Sequence, residues 1–580
     1  MKKHQKKILI ALLLFSNILF VVAQDVPEHI SYSRIYDFLD ELANEKLIEI
    51  NSVVKPYSRT FIAQLLQQAK SKEAKLNRRQ QKELYFFLEN YALEQNRLPQ
   101  YDYPLFEQTN WQLDVFPPSV HYRDSLLRGR VMPILGMNIL YNNNDKITQR
   151  WFGIDFQSMI GKHFAVYASL RDVSQQGELL AESTYLTPYQ GGAYKRTTNG
   201  GDYSEMRGGI SYAWEWGSVA LTKDHVQWGD NYHGSNIIAG RTPSFPMLKL
   251  SLKPAKWLEM NYFHGWLTSN VIDSTRYYLS NQNEKMYRYT NKFLAANMIS
   301  FIPLPQLHLS AGNAIVYAES NVQPAYLIPL AFYKSMDHTL TMGTENQNSQ
   351  LFLNISSRNI QHLHLFTSIF VDEFSISRIK PSSKEKNPIS YKLGFRLSNF
   401  PLENLSLRGE YTKNAILSYK HSIPALTWAT NGFNLGNYLG DNSQEIYAAL
   451  QYKPLRGLDI NLSWTQAEHG NEYAYIRHGT WQGSKASVLD IISQPFMKDK
   501  IWSNKTLALH VKYELFPNTY ATLNIENSNI QTFNAVSEVT FGETRMTAEE
   551  ALNYYTPNFF RVNKLLLLPA LALDFEQKFS

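Results

Sequence analysis

The sequence predicts an all-β transmembrane barrel of about 16–18 antiparallel strands with a small N-terminal α-helical bundle. Three observations carry this. The chain opens on an export signal. Strips with apolar residues on one parity and polar residues on the other recur along most of its length. After the signal, no stretch reaches the roughly 20 apolar residues that a spanning helix needs. A chain that crosses a membrane without such helices crosses as strands closed into a ring, because only then is every backbone group paired.

The leader comes first. Lys2, Lys3, Lys6 and Lys7 form a basic n-region, Ile8 to Val22 an apolar h-region, and Val21-Val22-Ala23 a cleavage site before Gln24. Residues 1–23 are therefore read as a signal peptide and set aside from the fold. The absence of cysteine excludes a lipid-anchored cysteine, disulfides and thiolate metal sites. The formal charge is +6, but the leader lysines go with the signal and leave the mature chain near neutrality. Nothing in that balance calls for nucleic acid.

Residues 24–104 read as a periplasmic helical bundle. Ile35, Phe38, Leu39 and Leu42 recur at helical spacing, as do Phe61, Ile62, Leu65, Leu66 and Ala69 after a Ser58 N-cap. Leu84, Phe87, Leu88 and Tyr91 make a third stripe, with Asn77 as its cap. Each stripe needs a surface to bury against. Asn51 to Ser58 and Leu98 to Pro104 are the joints.

Residues 105–580 read as the outer-membrane barrel. Tyr391, Leu393, Phe395 and Leu397 oppose Lys392, Gly394 and Arg396, and Leu405, Leu407 and Tyr411 oppose Ser406, Arg408 and Glu410. The turn from Asn399 to Asn404 makes these a hairpin. Leu458, Ile460, Leu462 and Trp464 form another such strip; Leu507, Leu509, Val511 and Tyr513 lead through Phe516-Pro517-Asn518 into a further hairpin. Leu571, Leu573, Phe575 and Phe579 close the chain on the same pattern. At about 9–11 residues per strand plus turns, the region holds about 16 to 18 strands, and an even count returns both ends to the periplasmic side. The 36 Tyr, 31 Phe and 11 Trp suit aromatic girdles at the membrane interfaces. The segments from Gln190 to Tyr203 and Thr344 to Ser349, rich in Gly, Asn and Thr, read as exposed loops.

Several blocks carry a resemblance. They are Ile35 to Ile48 followed by Lys55-Pro56-Tyr57-Ser58-Arg59, then Val226-Gln227-Trp228-Gly229-Asp230-Asn231-Tyr232-His233-Gly234-Ser235-Asn236, and Pro243-Ser244-Phe245-Pro246. Asp372-Glu373-Phe374 and the run from Asn434 to Asp441 follow in order. In these the chain resembles the Wzi capsule-assembly family, in its Bacteroidetes-type form. The resemblance implies an 18-stranded barrel in the outer membrane of a Gram-negative cell, a helical bundle at its periplasmic end, and lectin-like glycan binding without catalysis. It implies as partners capsular or other surface polysaccharide, outer-membrane lipid and polysaccharide-export proteins. The chain ends on Ser580 rather than on an aromatic residue.

The richest chemical constellation is Trp228, Asp230, Asn231, Tyr232 and His233. A ring covers the apolar face of a sugar, while carboxylate, amide and imidazole groups fix its hydroxyls. The other reading is a loop turned by Gly229 and Gly234 whose Trp packs inside the barrel. Arg171 and Asp172 add a charged pair to the lumen wall, either for glycan or as a structural ion pair. Asp372 and Glu373 alternate in a strand and so do not converge on one ion. His362 and His364 share a face but lack a third ligand of matched spacing. Glu468-His469-Gly470 and His233-Gly234-Ser235 are the remaining catalytic-looking patches, the second placing a base two residues from a hydroxyl. No catalytic residue, cofactor or metal is expected. The leading expectation is a surface-polysaccharide-binding barrel that aids capsule attachment. The alternatives are a passive diffusion channel and, less favoured, a membrane-embedded hydrolase using His233 and Ser235.

Overall fold

The structure, a computed structural model, describes residues 25–102, 104–142, 145–180, 186, 191–340, 346–380, 382–383, 385–472, 491–535, 546–561 and 565–573. The expected signal peptide and the final alternating residues from Asp574 lie outside these. Eighteen antiparallel strands close into one ring. They are β1 (Leu127–Asn142), β2 (Asp145–Ile160), β3 (Phe164–Gln176), β4 (Gly200–Trp214), β5 (Gly217–Asp224) and β6 (Phe245–Ala255). Next come β7 (Leu258–Leu279), β8 (Lys285–Leu304), β9 (Leu307–Tyr317), β10 (Gln347–Ser357), β11 (Leu363–Asp372) and β12 (Ile389–Ser398). The ring is completed by β13 (Leu405–Asn414), β14 (Ser443–Tyr452), β15 (Leu458–Gly470), β16 (Lys500–Phe516), β17 (Thr519–Thr532) and β18 (Leu565–Leu573). Each pairs with its sequence neighbour, and β18 returns to β1 with Leu571 opposite Met137.

Alternation decides which face looks where. On β12, Lys392 and Arg396 are buried toward the bore while Leu393 is exposed outside. Leu135, Phe152, Ile154, Ile210, Leu221, Leu407, Leu450 and Leu507 are likewise exposed, an apolar band of the kind that faces lipid. Connections alternate in length. Residues 161–163, 215–216, 256–257, 305–306, 358–362, 399–404, 453–457 and 517–518 are tight turns at one end, with exposed Trp216 and Trp257 among them. The other end carries the long connections, including 177–199, 225–244, 318–346, 415–442 and 471–499.

The three N-terminal stripes become α1 (Ser33–Asn44), α2 (Arg59–Lys70) and α3 (Arg78–Asn90). Ser58 Oγ accepts from the Phe61 amide at 3.1 Å. Asn77 and Gln80 form a reciprocal capping box. Ile35, Leu39, Leu42, Leu66, Leu84 and Phe87 make a shared core, which Tyr520 of β17 also joins. The bundle docks on the tight turns. The His362 amide donates to Asn44 O at 2.7 Å, Gln306 Nε2 to Ile48 O at 2.8 Å, and Asn77 Nδ2 to Asn404 Oδ1 at 3.1 Å.

Two long connections fold inward instead of outward. Segment 225–244 drops into the bore, where Val54 and Lys55 pair antiparallel with Trp228 and Gln227. Segment 415–442 meets it: Trp428 Nε1 donates to Ile237 O at 3.0 Å, and the Ala239 amide to Leu435 O at 2.7 Å. Val226, Trp228, Ile237, Trp428 and Leu435 pack against Phe263, Met298 and Phe352 of the wall, so the middle of the barrel holds an apolar core. The Asn434-to-Asp441 block serves this packing: Asp441 Oδ1 accepts from the Tyr419 amide at 2.7 Å.

A third connection does the reverse. After β9 the chain runs down the outside of the wall through α4 (Tyr333–Leu340), and Tyr326 and Tyr333 cover the outward residues Met260, Tyr262, Phe293 and Tyr317. Asn297 Nδ2, on the same outer face, is satisfied at 2.9 Å by Pro329 O and by Ala331 O. An uncovered asparagine at that depth would face hydrocarbon. The strap turns Leu330 and Phe332 outward in its place.

The two expected loops differ from the structure. Lys195–Thr197 and Gly200–Trp214 are strands, and β10 already includes Gln347, Asn348 and Ser349, because ladder pairing overrides the turn-like composition. Gln190 and Thr344 lie outside the described residues.

Candidate functional site

The bundle meets the wall through charge. Asp37, Asp40, Glu41 and Asn44 line one face of α1 at helical spacing. Asp37 pairs with Arg396 at 2.6 Å and also contacts Arg408 and Lys453. Asp40 pairs with Arg358 at 2.7 Å, and Glu41 with Arg79 and, at 3.1 Å, Lys453. Burial pushes the Asp37 carboxyl up, but Arg396, Lys453 and Arg408 outweigh it and hold it well below the usual carboxylate range. Glu41 is also held low: burial opposes, and Arg79 and Lys453 prevail.

Beside this seam lies a cavity of ≈ 340 Å³, between α1, the infolded 225–244 segment and the inner faces of β14 to β17. Asn231, Tyr232 and His233 line it, with Arg408, Tyr447, Asn461 and Asn524. Tyr232 OH and His364 Nδ1 lie 2.6 Å apart, and the Arg396 and Arg408 guanidinium groups sit 5.6 and 5.4 Å from the Tyr232 ring. The His233 ring stacks on Tyr447 at 4.0 Å, and its Nε2 lies 3.6 Å from Glu445 Oε2. Amides, guanidinium groups and rings converge here as saccharide recognition would require.

The sequence-predicted constellation is thus divided. Trp228 is 1% exposed, with Phe263 and Phe352 edge-on to its ring, and belongs to the interior core. Asp230 is buried, accepting from Ser52 and, at 2.7 Å, from Asn354 Nδ2. Gly229 and Gly234 do turn the backbone, at φ +96° and +93°. Arg171 and Asp172 do not form a pair in the bore. Arg171 points inward, whereas Asp172 points to the outer face and accepts from Ser204. The Ser235 hydroxyl, fully buried, donates to Trp228 O. His362 sits in a turn at φ +68°, not in the strand that holds His364.

A second surface lies at the long-loop rim, and sequence reasoning passed over it. β7 and β8 run 22 and 20 residues, far more than the 9–11 that a span needs, so their hairpin stands clear of the apolar band. Its tip exposes Tyr277, Tyr278, Tyr287 and Tyr289, each about half accessible. Tyr277 faces Tyr287 across the ladder with ring centres 6.0 Å apart, and Ile272 faces Tyr289 on the same side. Lys285 lies over the Tyr277 ring at 4.7 Å. The available signal was the length of the two alternating strips around residues 280–284.

These features define a class: an 18-stranded transmembrane barrel with a filled bore and an aromatic hairpin at the rim. No protein-family model and no curated protein sequence matches the chain. Among solved structures it is similar to Wzi of Escherichia coli, described as an outer membrane protein involved in group 1 capsule assembly and a carbohydrate-binding β-barrel. That match has a TM-score of 0.55 at 9% identity and covers 96% of this chain and 100% of the other. The chain therefore has a Wzi-like fold. It also matches Pseudomonas aeruginosa OccK8 (TM-score 0.42, 8% identity, 77% of this chain and 97% of that one). OccD3 of the same organism matches at TM-score 0.39 and 10% identity, over 76% and 91% of the two chains.

Proposed function

We propose that the protein is an outer-membrane glycan-binding barrel, a member of the Wzi group in function as well as fold, that holds surface or capsular polysaccharide without catalysing its conversion. The tight turns and the bundle then face the periplasm and the long connections the cell exterior. The observation that carries the reading is a filled bore beneath an exposed tyrosine hairpin. A diffusion channel needs an open bore, and in the described residues this one is packed by the bundle and two infolded segments. Exposed rings offer flat apolar faces to sugar CH groups, and a long repetitive polymer engages many barrels weakly at once. The interior cavity with Asn231, Tyr232 and His233 is a second, smaller saccharide subsite.

Purified protein immobilised in detergent is expected to retain the polysaccharide of its own cell surface. Tyr277→Ala with Tyr287→Ala is expected to weaken retention about tenfold, the worth of roughly 1.4 kcal/mol. His233→Ala acts on the inner subsite and leaves polymer retention nearly unchanged. No retention by the wild type, or steady wild-type conductance in planar bilayers, would defeat the reading.

A further inference from the structure

From the geometry where the N-terminal segment, β5 and the first infolded segment meet, we infer that His29, His225 and Asp224 form a binding site for zinc or a neighbouring first-row divalent ion. One nitrogen of each imidazole and one oxygen of the carboxylate lie within 4.8 Å of one another. His29 Nε2 is 2.9 Å from His225 Nδ1, and His225 Nδ1 is 3.8 Å from Asp224 Oδ1. Ligands at the usual 2.0–2.2 Å around a tetrahedral zinc stand about 3.3–3.5 Å apart, between those two separations. Two imidazoles and a carboxylate are a borderline donor set that suits zinc better than calcium or magnesium.

Three further observations support the site. All three residues are at most 5% exposed, so they are held in place by packing. The ligands have partners of the kind that orient a metal's first shell: Ser31 Oγ lies 2.6 Å from His29 Nδ1, and Tyr167 OH donates to Asp224 Oδ2 at 2.7 Å. A cavity of ≈ 20 Å³ opens against Asp224 and His225, about enough for one water as a fourth ligand. Arg207, 3.5 Å from Asp224 Oδ1, opposes a cation, but it also interacts with Asp155 and Glu205, which offset its charge.

The site's place gives it a role. His29 lies just ahead of α1, Asp224 ends β5, and His225 begins the infolded 225–244 segment. An ion held by all three ties the N-terminal segment and the first infolded segment to the wall. The sequence hid this because 196 positions separate the two histidines.

The full-length protein, stripped with chelator in detergent and dialysed, is expected to bind one equivalent of Co²⁺. That ion should show the visible ligand-field bands of four- or five-coordination and be displaced by Zn²⁺. His29→Gln should abolish the bands while the folded barrel, checked by its heat-modifiable gel mobility, persists. Ser31→Ala, a milder change, should weaken binding about tenfold. If the wild type takes up no stoichiometric Co²⁺ or Zn²⁺, or if His29→Gln folds and binds as well as wild type, the site does not exist.

Discussion

Asp37→Ala is expected to destabilise the bundle in its seat by about 3 kcal/mol, because it removes the carboxylate that three largely buried cations share and leaves Arg408 without one. Arg396, Arg408 and Lys453 all converge on this carboxylate, and Gln451 Nε2 donates to it at 3.2 Å. Without it, Arg408 loses its carboxylate, Arg396 keeps only Asp40 at 3.9 Å, and Lys453 keeps only Glu41 at 3.1 Å. The readout is protease access to the joint at Asn51 to Ser58, together with the urea midpoint of the detergent-solubilised barrel. Unchanged access and an unchanged midpoint would mean that the seam contributes nothing. The same carboxylates set a pH dependence. Asp37 and Glu41 have folded values below their unfolded ones. Their contribution is therefore complete above the unfolded carboxylate range near pH 4 and is lost as pH falls toward the depressed folded values. Proteolysis of the bundle should accelerate below about pH 4.

Trp428→Ala is the second large change. This residue is fully buried, its indole N–H bonded to Ile237 O and its ring 5.2 Å from that of Phe370. Truncation removes one of the contacts that join the two infolded segments and leaves a hole in the interior core. The expected loss is about 3–5 kcal/mol. In planar bilayers the wild type should pass no steady current, whereas the variant should show intermittent openings as water enters the space. A variant within about 1 kcal/mol of wild type would show that the segments are held elsewhere.

What the sequence made legible follows from periodicity. Strand strips such as those of β12 and β13 repeat every two residues, and the stripes of α1, α2 and α3 every three to four, so local order alone reveals them. The caps at Ser58 and Asn77 were legible for the same reason. The infolded segments were not. Val226, Trp228, Ile237 and Ile238 follow no period, since irregular chain is buried there by contact with residues far away in sequence. The candidate site suffered likewise. Tyr447 reaches His233 only through closure of the ring, and Arg171 and Asp172 are adjacent in sequence but opposite in direction, as neighbours in a strand must be. Tyrosines on the β7–β8 hairpin pass for ordinary strand residues until strand length places them above the membrane.

The seam between β18 and β1 has a consequence for the order of assembly. Its partners, such as Leu571 and Met137, come from opposite extremes of the barrel sequence, so the hoop can be fastened only once the last strand is in place. The helices come first in the chain and wait for every strand of the enclosure that receives them. Contacts this distant form slowly. Biogenesis must therefore shelter the greasy stripes of the early helices until late in the process. A mutation that weakens the bundle's own packing should reduce the yield of finished barrels before it affects the finished barrel itself.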